Sequence, residues 1–449
     1  MLKLFFCLRY LRKKKIVLLS IGAVALSTAL LIVVSSLFIG FINAFEQTAV
    51  DTIGDVILIA PMRFPKYSQL IEQLQQSHVV KAATATLVNE GLLYLGKGNV
   101  RRVNVVGIEP ASYSDVTAYK KTLLKQKDSA TSPTFETGGA TGADGGFVGI
   151  AVVAEPDEET DEYDFAAIEK MIGQAVVLTT GAAKQAGTSD LAATQQFIRR
   201  TVKLTIADIV FTGVYDLDKA LVYLPRQRLQ DILYPDANGP IADRLQIKLA
   251  EDASEESALA QIRGIWSTFA SEQLEWSPYN IDQTTITTAK QMQYRYVAAL
   301  YKQMRILLLI FGIVSLSVIM LVFCIFYMIV LFKQRDIAVM KSCGAASGSI
   351  ACIFVGFGAS VGIIGSVLGA ASGYLITKNI NTIEEWIRIV FGLKLWKSSV
   401  YIFSQIPNQV DWVSCGKIIA LAIAAAIVGT FIPAIVAART RPVEILRYE

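Results

Sequence analysis

Apolar residues are concentrated in four long stretches that contain no Asp, Glu, Lys or Arg. These stretches cover residues 16–45, 306–332, 342–377 and 418–438. Because a helix rises about 1.5 Å per residue, about 20 apolar residues cross the hydrocarbon core of a bilayer. The pattern therefore predicts four transmembrane helices. The third stretch is too long for one span, so residues 342–349 are expected outside the hydrocarbon.

The block between the first two stretches, residues 46–304, mixes polar and apolar positions and is long enough to fold as a domain. Two β-rich runs, 91–95 and 100–106, flank a Gly/Asn turn and predict a hairpin. Further strands are predicted at 55–60, 174–179, 202–210, 221–224 and 244–249, and helices at 67–76, 226–233 and 253–269. The fold class is therefore a membrane α-helical protein with a large α+β domain between the first and second helices.

The pattern also divides the chain into segments. The predicted segments are a basic N-terminus with the first span (1–45), the α+β domain (46–304) ending in a stalk helix (285–304), the second span (305–333), a coupling helix (334–349), the third span (350–377), an interfacial loop (378–415), the fourth span (416–438) and the C-terminus (439–449). The first span is expected to be an uncleaved anchor, because it reaches Glu46 without a small-x-small cleavage site.

Basic residues beside the spans predict the orientation of the chain. Lys3, Arg9, Arg12, Lys13, Lys14, Lys15, Lys333, Arg335, Lys341, Arg439, Arg441 and Arg447 all fall on one side of a four-span topology. Since basic residues favour the cytoplasmic side, both termini are predicted there and the α+β domain is extracytoplasmic. Residues 46–304 have a net charge of −8 and the rest of the chain +12.

Residues 129–164 are rich in Gly, Ser and Thr and end in an acidic run, 155–164, with seven carboxylates. This composition predicts a solvated, mobile insertion. Asp157, Glu159 and Asp161 alternate as calcium ligands do, but Glu162 occupies the position where a calcium loop requires glycine. No metal site is predicted.

Patterns that carry catalysis fail. The single histidine, His78, has no cysteine or carboxylate pattern beside it, and in Gly181–Thr188 the lysine precedes the second glycine, unlike a phosphate loop. The chain is therefore expected to be non-catalytic and to bind no nucleic acid. Any ATP that drives it would be hydrolysed by another chain.

The third span carries small residues on one face: Gly358, Gly362, Gly365, Gly369 and Gly373. Glycine at this spacing lets helix backbones approach closely in lipid. Packing inside the four-helix bundle and a contact between two copies both explain it.

Several motifs resemble a known family. Residues 335–344, Arg-Asp-Ile-Ala-Val-Met-Lys-Ser-Cys-Gly, resemble the E-I-A-[VI]-[LM]-[KR]-x-[LI]-G-A motif of FtsX-like permeases, the membrane subunits of mechanotransmission ABC transporters, with Asp336 in place of Glu. Residues 442–449 are similar to the P-[VA]-E-x-L-R-x-E ending of that family.

Within the family, the lipoprotein-releasing subunits LolC and LolE are the most similar. Asn43-Ala-Phe45-Glu46 resembles their N-G-F-E, residues 400–412 resemble their V-Y-Y-L-x-x-I-P-x-x-V-x-W, and residues 213–225 resemble a strand pair of their periplasmic domain. The resemblance implies a permease subunit in the bacterial inner membrane that extracts lipoproteins from the outer leaflet for a periplasmic carrier.

The resemblance also implies partners. They are an ABC ATPase dimer that holds ATP and Mg, a second permease (this chain or a related subunit), a lipoprotein or other lipid-anchored substrate, and the carrier. Residues 180–200 correspond to the hairpin that recruits the carrier in LolC, but they are longer and lack proline.

Site residues follow from the same resemblance. The expected ATPase-coupling residues are Arg335, Asp336, Ile337, Met340, Lys341 and Gly344, and those at the mouth of the substrate cavity are Asn43, Phe45 and Glu46. Two alternatives stay open: a MacB-like permease for efflux or export with a periplasmic partner, and an FtsX-like scaffold that signals to cell-wall enzymes.

Overall fold

The computed structural model describes residues 15–96, 98–136, 144–157, 160–183, 197–237, 239–397, 403–439 and 441. Within these ranges four helices are long and apolar enough to cross a membrane: Val17–Ile53, Val297–Phe332, Ser347–Lys378 and Trp412–Arg439. We call them the first to fourth spans. The predicted fold class, four membrane helices with an α+β domain between the first two, is confirmed. The basic N-terminal residues 3–14, most of the segment 180–200 and the C-terminal motif 442–449 lie outside the described residues.

The elements follow one another with short connections. The helices are α1 (Lys15–Ile53), α2 (Tyr67–Gln75), α3 (Pro110–Val116), α4 (Tyr119–Thr122), α5 (Ile150–Val153), α6 (Phe165–Glu169), α7 (Tyr215–Asp218), α8 (Arg226–Leu233), α9 (Glu255–Glu272), α10 (Pro278–Asp282), α11 (Ala289–Met292), α12 (Tyr294–Phe332), α13 (Gln334–Ser342), α14 (Ser347–Lys378), α15 (Ile380–Phe391) and α16 (Trp412–Arg439). The strands are β1 (Val56–Pro65), β2 (Val80–Tyr94), β3 (Val100–Ile108), β4 (Asp144–Gly149), β5 (Ala175–Ala183), β6 (Phe197–Val210), β7 (Leu221–Pro225), β8 (Ile241–Leu249) and β9 (Thr285–Thr288).

The chain forms two compact units. The membrane unit comprises Met1–Asn43, Tyr296–Trp386 and Ile406–Glu449, and the α+β unit comprises Ala44–Arg295 and Ile387–Gln405. The second part of the α+β unit comes from the connection between the third and fourth spans. That assignment was not foreseen from the sequence, which placed the whole connection with the membrane segments.

Six strands of the α+β unit close into a ring. The predicted hairpin β2–β3 is confirmed, β3 continues to β7 in parallel, and β7 pairs with β4. β4 pairs with β6 in parallel, β6 with β5, and β5 returns to β2. Buried apolar side chains from these strands, Leu87, Val103, Val148, Leu178 and Ile206 among them, form one core. Closure leaves these strands without an open edge.

The first half of β2 leaves the ring and joins an open antiparallel sheet in the order β2–β8–β1–β9. Helices α2 and α9 pack against this sheet and share a second apolar core with it. Phe64 lies at its centre, with edge-on ring contacts to Trp266 at 5.2 Å and Trp276 at 6.4 Å. Strand β2 is therefore common to both cores.

The predicted stalk helix 285–304 is wrong at its beginning. Thr285–Thr288 form strand β9, which pairs with β1. Three of these four residues are threonine, whose β-branched side chain suits a strand. The long helix α12 begins at Tyr294 and continues to Phe332.

The predicted mobile insertion 129–164 is wrong for residues 144–153. They form β4 and α5, and Phe147 is completely buried. The glycines that made the stretch look disordered are required by close packing, because a Cβ on Gly145 would lie 1.7 Å from the carbonyl oxygen of Phe135. In the acidic run that follows, Glu155 and Glu162 are exposed, as the charge predicted.

Candidate coupling helix and membrane cavity

Helix α13 follows the second span after a single residue, Lys333, and ends in a Schellman motif. The backbone N–H of Gly344 donates to the Lys341 carbonyl at 3.0 Å, and that of Ala345 to the Met340 carbonyl at 3.1 Å. Gly344 has a φ of +91°, which glycine adopts without a Cβ penalty. The role of this glycine is conformational, since nothing lies within 4 Å of a Cβ built there.

Three of the expected coupling residues face inward and hold α13 to the membrane unit. Ile337 is buried in an apolar cluster that includes Phe326, and Met340 packs against the same cluster. The Lys341 Nζ donates to the carbonyl oxygen of Ala438, near the end of the fourth span. Movement of α13 would therefore be transmitted to the helices around it.

The outward face of α13 carries the other charged residues. Arg335 and Asp336 are exposed, and Asp336 forms an ion pair with Lys333. Val339 is 52% exposed on the same face, although it is apolar. The sequence-based reasoning missed Val339; its position three and four residues after Asp336 and Arg335 is the signal that could have found it.

Glycines of the third span pack against two different helices. A Cβ on Gly358 would lie 2.2 Å from Thr430 Oγ1 and one on Gly362 2.9 Å from Ala426 Cβ, both in the fourth span. Cβ atoms on the other three would meet the first span: Gly365 at 2.8 Å from Val24 Cβ, Gly369 at 2.5 Å from the Ala25 carbonyl and Gly373 at 3.1 Å from the Ala29 carbonyl. Contacts within one chain thus account for all five glycines.

A cavity of about 40 Å³ lies between the first, second and fourth spans. Its lining is formed by Val24, Ser27, Thr28, Leu31, Ser315, Val318, Ile319, Val322, Ile418, Leu421, Ala422, Ala425 and Ala426. The hydroxyl oxygens of Ser27 and Ser315 are 3.2 Å apart and join the first span to the second. The buried Thr28 Oγ1 has no hydrogen-bond partner in the described part of the chain.

The three residues expected at the cavity mouth do not line this cavity. Leu31 is the last lining residue on α1, and Asn43 lies about 18 Å further along the helix axis. Asn43 Nδ2 instead donates to Gln409 Oε1 at 2.6 Å, and the Phe45 ring meets Phe403 edge-on at 6.5 Å. These contacts join the Asn43–Glu46 motif to the motif at 400–412.

Glu46 lies near Lys290. The hydrogen bond that Lys290 donates to Glu255 at 2.8 Å, with smaller contributions from the charges of Glu46 and Asp55, raises the pKa of Lys290 above its usual value. Lys290 is in α11, directly before the helix that contains the second span. Glu46 thus contributes to a network of charges at the base of the α+β unit.

Within the membrane unit, residues 406–409 hold the outer parts of the first and third spans. Asn381 accepts from the Ile406 N–H at 2.9 Å and donates to the Ile406 carbonyl, and Asn408 donates to the Thr377 carbonyl at 2.6 Å. A Cβ on Gly40 would lie 2.7 Å from the Pro407 carbonyl oxygen. The polar residues of this motif therefore satisfy backbone groups at helix ends.

In the α+β unit, Phe403 forms an antiparallel bridge with Val214, and Ser404 N–H donates to the Gly213 carbonyl at 3.0 Å. Close to this bridge is the buried Asp218, which accepts from the Thr212 N–H and hydroxyl, both at 2.8 Å. Burial raises the pKa of Asp218 to about 7, although the bonds from Thr212 oppose the shift. The loop that receives Phe403 thus contains a carboxyl group that titrates near neutrality.

In the part of the chain that the structure describes, no group of three or more His, Cys, Asp and Glu side chains could hold a metal ion. The polar groups described above serve helix ends, loop closure and ion pairs. The arrangement is that of a mechanical membrane component, with a short exposed helix at one end of the spans and a large folded unit between the first two.

Comparisons with known proteins agree with this arrangement. Residues 308–442 match the family FtsX-like permease C-terminal. The chain is 26% identical to the lipoprotein-releasing system transmembrane protein LolC of Neisseria meningitidis over 98% of both chains. It is 31% identical to the corresponding LolE of Haemophilus influenzae, over 25% of this chain and 27% of LolE.

Among solved structures, the periplasmic region of MacB from Actinobacillus actinomycetemcomitans matches 55% of this chain and 95% of its own, with 12% identity and a TM-score of 0.31. The extracellular domain of the ABC-type transporter YknZ from Gram-positive bacteria matches 52% of this chain and 98% of its own, with 11% identity and a TM-score of 0.27.

Proposed function

Because this chain is an FtsX-like permease similar to LolC and LolE, we propose that it is the permease subunit of an ATP-driven ABC complex that releases lipoproteins from the bacterial inner membrane. The supporting observation is the similarity to LolC, which extends over 98% of both chains and so includes the α+β unit as well as the spans. The chain is the non-catalytic subunit, and a separate ATPase dimer hydrolyses ATP with Mg.

In this proposal α13 is the contact with the ATPase. Arg335, Asp336 and Val339 form the surface that the ATPase binds, while Ile337 and Lys341 fix the helix to the bundle. The basic residues near α13 and the chain termini place this side in the cytoplasm. The α+β unit then lies in the periplasm, where a carrier would receive the lipoprotein.

Extraction of a lipid anchor requires external work. Removing acyl chains from a bilayer costs about 0.8 kcal/mol for each methylene group, so an anchor with several tens of them cannot leave unaided. The cavity of about 40 Å³ has room for only about three water-sized groups. An acyl chain would therefore bind between this permease and a second one, which is the same chain or a related subunit.

Cysteine cross-linking tests the contact with the ATPase. Val339→Cys is introduced into full-length protein in which the five native cysteines are replaced, and the complex is co-expressed with its ATPase. Val367→Cys is the control, because Val367 is 57% exposed, against 52% for Val339, but lies within the third span. We expect a cross-link from position 339 and none from 367. An assembled complex with no cross-link at 339 would contradict this docking surface.

The substrate is tested by mass spectrometry of the native complex and by depletion. We expect a triacylated lipoprotein to co-purify, and lipoproteins to accumulate in the inner membrane when the protein is depleted. Normal sorting of lipoproteins after depletion would overturn the proposal. Co-purification of an efflux partner or a cell-wall hydrolase in place of a lipoprotein would favour one of the alternative functions.

A further inference from the structure

Helix α15 has its charged side chains turned inward and its apolar side chains turned outward. Glu384 is only 9% exposed, whereas Trp386 and Ile389 are 60% and 71% exposed. A helix on a water-exposed surface has the opposite arrangement, with its apolar stripe toward the core. The environment outside α15 is therefore expected to be apolar.

The exposed apolar surface continues beyond the end of α15. Gly392, with a φ of +66°, ends the helix, and its N–H donates to the Arg388 carbonyl at 2.8 Å. The exposed apolar side chains on the helix and just after it are Trp386, Ile389, Val390, Phe391, Leu393 and Leu395. We call this set the α15 apolar surface. Contiguous exposed apolar groups of this kind mark a contact with a protein or a membrane.

The position of α15 in the chain favours a membrane. The third span ends at Lys378, two residues before α15 begins, and the fourth span begins at Trp412, so both ends of the connection are tied to spans. Exposed apolar residues of the third span, Leu375 and Ile376, directly precede the connection in sequence. The α15 surface thus continues a surface that lipid already covers in a membrane-spanning helix.

Charge and residue type fit the headgroup region of a bilayer. Arg388, Lys394 and Lys397 are on or beside α15 and can reach lipid phosphates while their stems lie along apolar groups. Tryptophan is enriched at this depth because its ring is apolar and its N–H is polar. Amphipathic helices with basic residues and large apolar side chains lie in the plane of the interface.

We propose that α15 is an interfacial helix whose apolar surface inserts into the lipid leaflet in which the third span ends. The same connection is bound to the α+β unit, through the Val214–Phe403 bridge and an ion pair of 3.4 Å between Arg388 and Glu162. Glu162 belongs to the acidic run that the proposed function leaves unexplained. The connection therefore binds lipid with one side and the α+β unit with the other.

This inference requires the four spans but not lipoprotein transport. Its test uses the full-length chain alone, without ATPase or cargo, in liposomes of phosphatidylethanolamine and phosphatidylglycerol. In a background without native cysteines, Ile389→Cys carries a nitroxide label, and collisions with oxygen, which partitions into lipid, are compared with those of a water-soluble nickel chelate. Failure here would leave the proposed function standing, and loss of the transport proposal would not change this measurement.

Tyr279→Cys is the matched control, because Tyr279 is 72% exposed, as Ile389 is 71%, but lies in α10 within the α+β unit. We expect the ratio of oxygen to nickel collisions to be several-fold higher at 389 than at 279. Equal ratios would overturn the proposal. Exclusion of both reagents at 389 would also overturn it, because a protein would then cover the surface. If Ile389→Cys folds poorly, labels at Phe391 and Leu393 report on the same surface.

Discussion

Glycines on the third span differ in what surrounds them, and this decides which can be replaced. A Cβ on Gly369 would lie 2.5 Å from the Ala25 carbonyl and 2.7 Å from Thr28 Cβ. A Cβ on Gly356 would meet nothing within 4 Å. Since both residues lie in α14, helix propensity is the same at the two positions, and the difference between them is the neighbouring helix.

We predict that Gly369→Ala destabilises the protein by about 1–3 kcal/mol, because the backbone of the first span must move away. Gly356→Ala should be neutral or stabilising by up to about 1 kcal/mol, since alanine is the better helix former. Thermal unfolding midpoints of the two variants in one detergent measure the difference. Equal midpoints would show that the close approach at Gly369 is not maintained.

Asp218 gives the loop around Val214 a dependence on pH. Its ordinary pKa is 3.8, and burial raises the pKa in the folded protein to about 7. A carboxyl with a raised pKa binds its proton more tightly when folded, so protonation stabilises the folded loop. This contribution is complete below pH 3.8, where both states are protonated, and is lost as the pH rises to about 7.

We predict that amides of residues 212–218 exchange hydrogen faster at pH 8 than at pH 5.5, after correction for intrinsic exchange. Asp218→Asn should remove most of this difference, because the amide oxygen still accepts from Thr212 and does not ionise. Asp216→Asn is the control, since Asp216 is exposed and pairs with Lys219 at the surface. A pH dependence that persists in Asp218→Asn would contradict this assignment.

At the scale of elements, the connection between the third and fourth spans depends on one aromatic side chain. Phe403 is buried, pairs with Val214 and accepts from Trp396 Nε1 at 3.0 Å through its carbonyl. Its ring also meets Phe45 of the first helix. One residue thus joins the connection, the loop after β6 and the end of α1 within the α+β unit.

Phe403→Ala is predicted to weaken this attachment by about 3–5 kcal/mol, the usual cost of removing a buried phenylalanine ring. The amide of Ser404 should lose hydrogen-exchange protection while the strands of the ring keep theirs. Phe165→Ala serves as control, because Phe165 is 42% exposed on a short helix of the same unit. Unchanged exchange at Ser404 would mean that the ring of Phe403 does not hold the connection.

The elements also show how far a sequence pattern reaches. The β2–β3 hairpin was predictable, because its two strands are adjacent and a Gly/Asn turn joins them. Closure of the ring was not, because β3–β7 and β4–β6 are parallel pairs of strands far apart in sequence. β4 itself was hidden among glycines, whose close contacts exist only in the folded ring.

At the scale of the whole molecule, the α+β unit contains two apolar cores that share only strand β2. One core surrounds Phe64 in the open sheet, and the other includes Leu178 inside the ring. Regions with separate cores commonly open as separate cooperative units. The two parts of this unit are therefore expected to respond differently to damage in either core.

We predict a reciprocal pattern for two core variants of the full-length chain. Phe64→Ala, at a cost of about 3–5 kcal/mol, should increase hydrogen exchange in β1, β8 and β9 more than in β5 and β6. Leu178→Ala, at about 2–5 kcal/mol, should do the opposite. Uniform loss of protection in both variants would show that the α+β unit unfolds as one.

The candidate site could be predicted only in part. The resemblance of residues 335–344 located α13, and glycine at 344 predicted the end of the helix. Which of its residues face outward depended on packing, since Ile337 and Lys341 hold the helix and Val339 is exposed. Asn43 and Phe45 were recognised by pattern, but their contacts with Gln409 and Phe403 join residues more than 350 positions apart.

The sequence by itself determined the four spans and the α+β domain between the first two. Transfer of a long uncharged stretch from water to lipid is a property of composition and length, so it needs no tertiary partner. Tertiary structure decided which helix each glycine of the third span meets, that β4 is buried in a ring, and that α15 turns its apolar residues outward. Those outcomes depend on which distant segments share a surface, and the local pattern of residues contains no information about that.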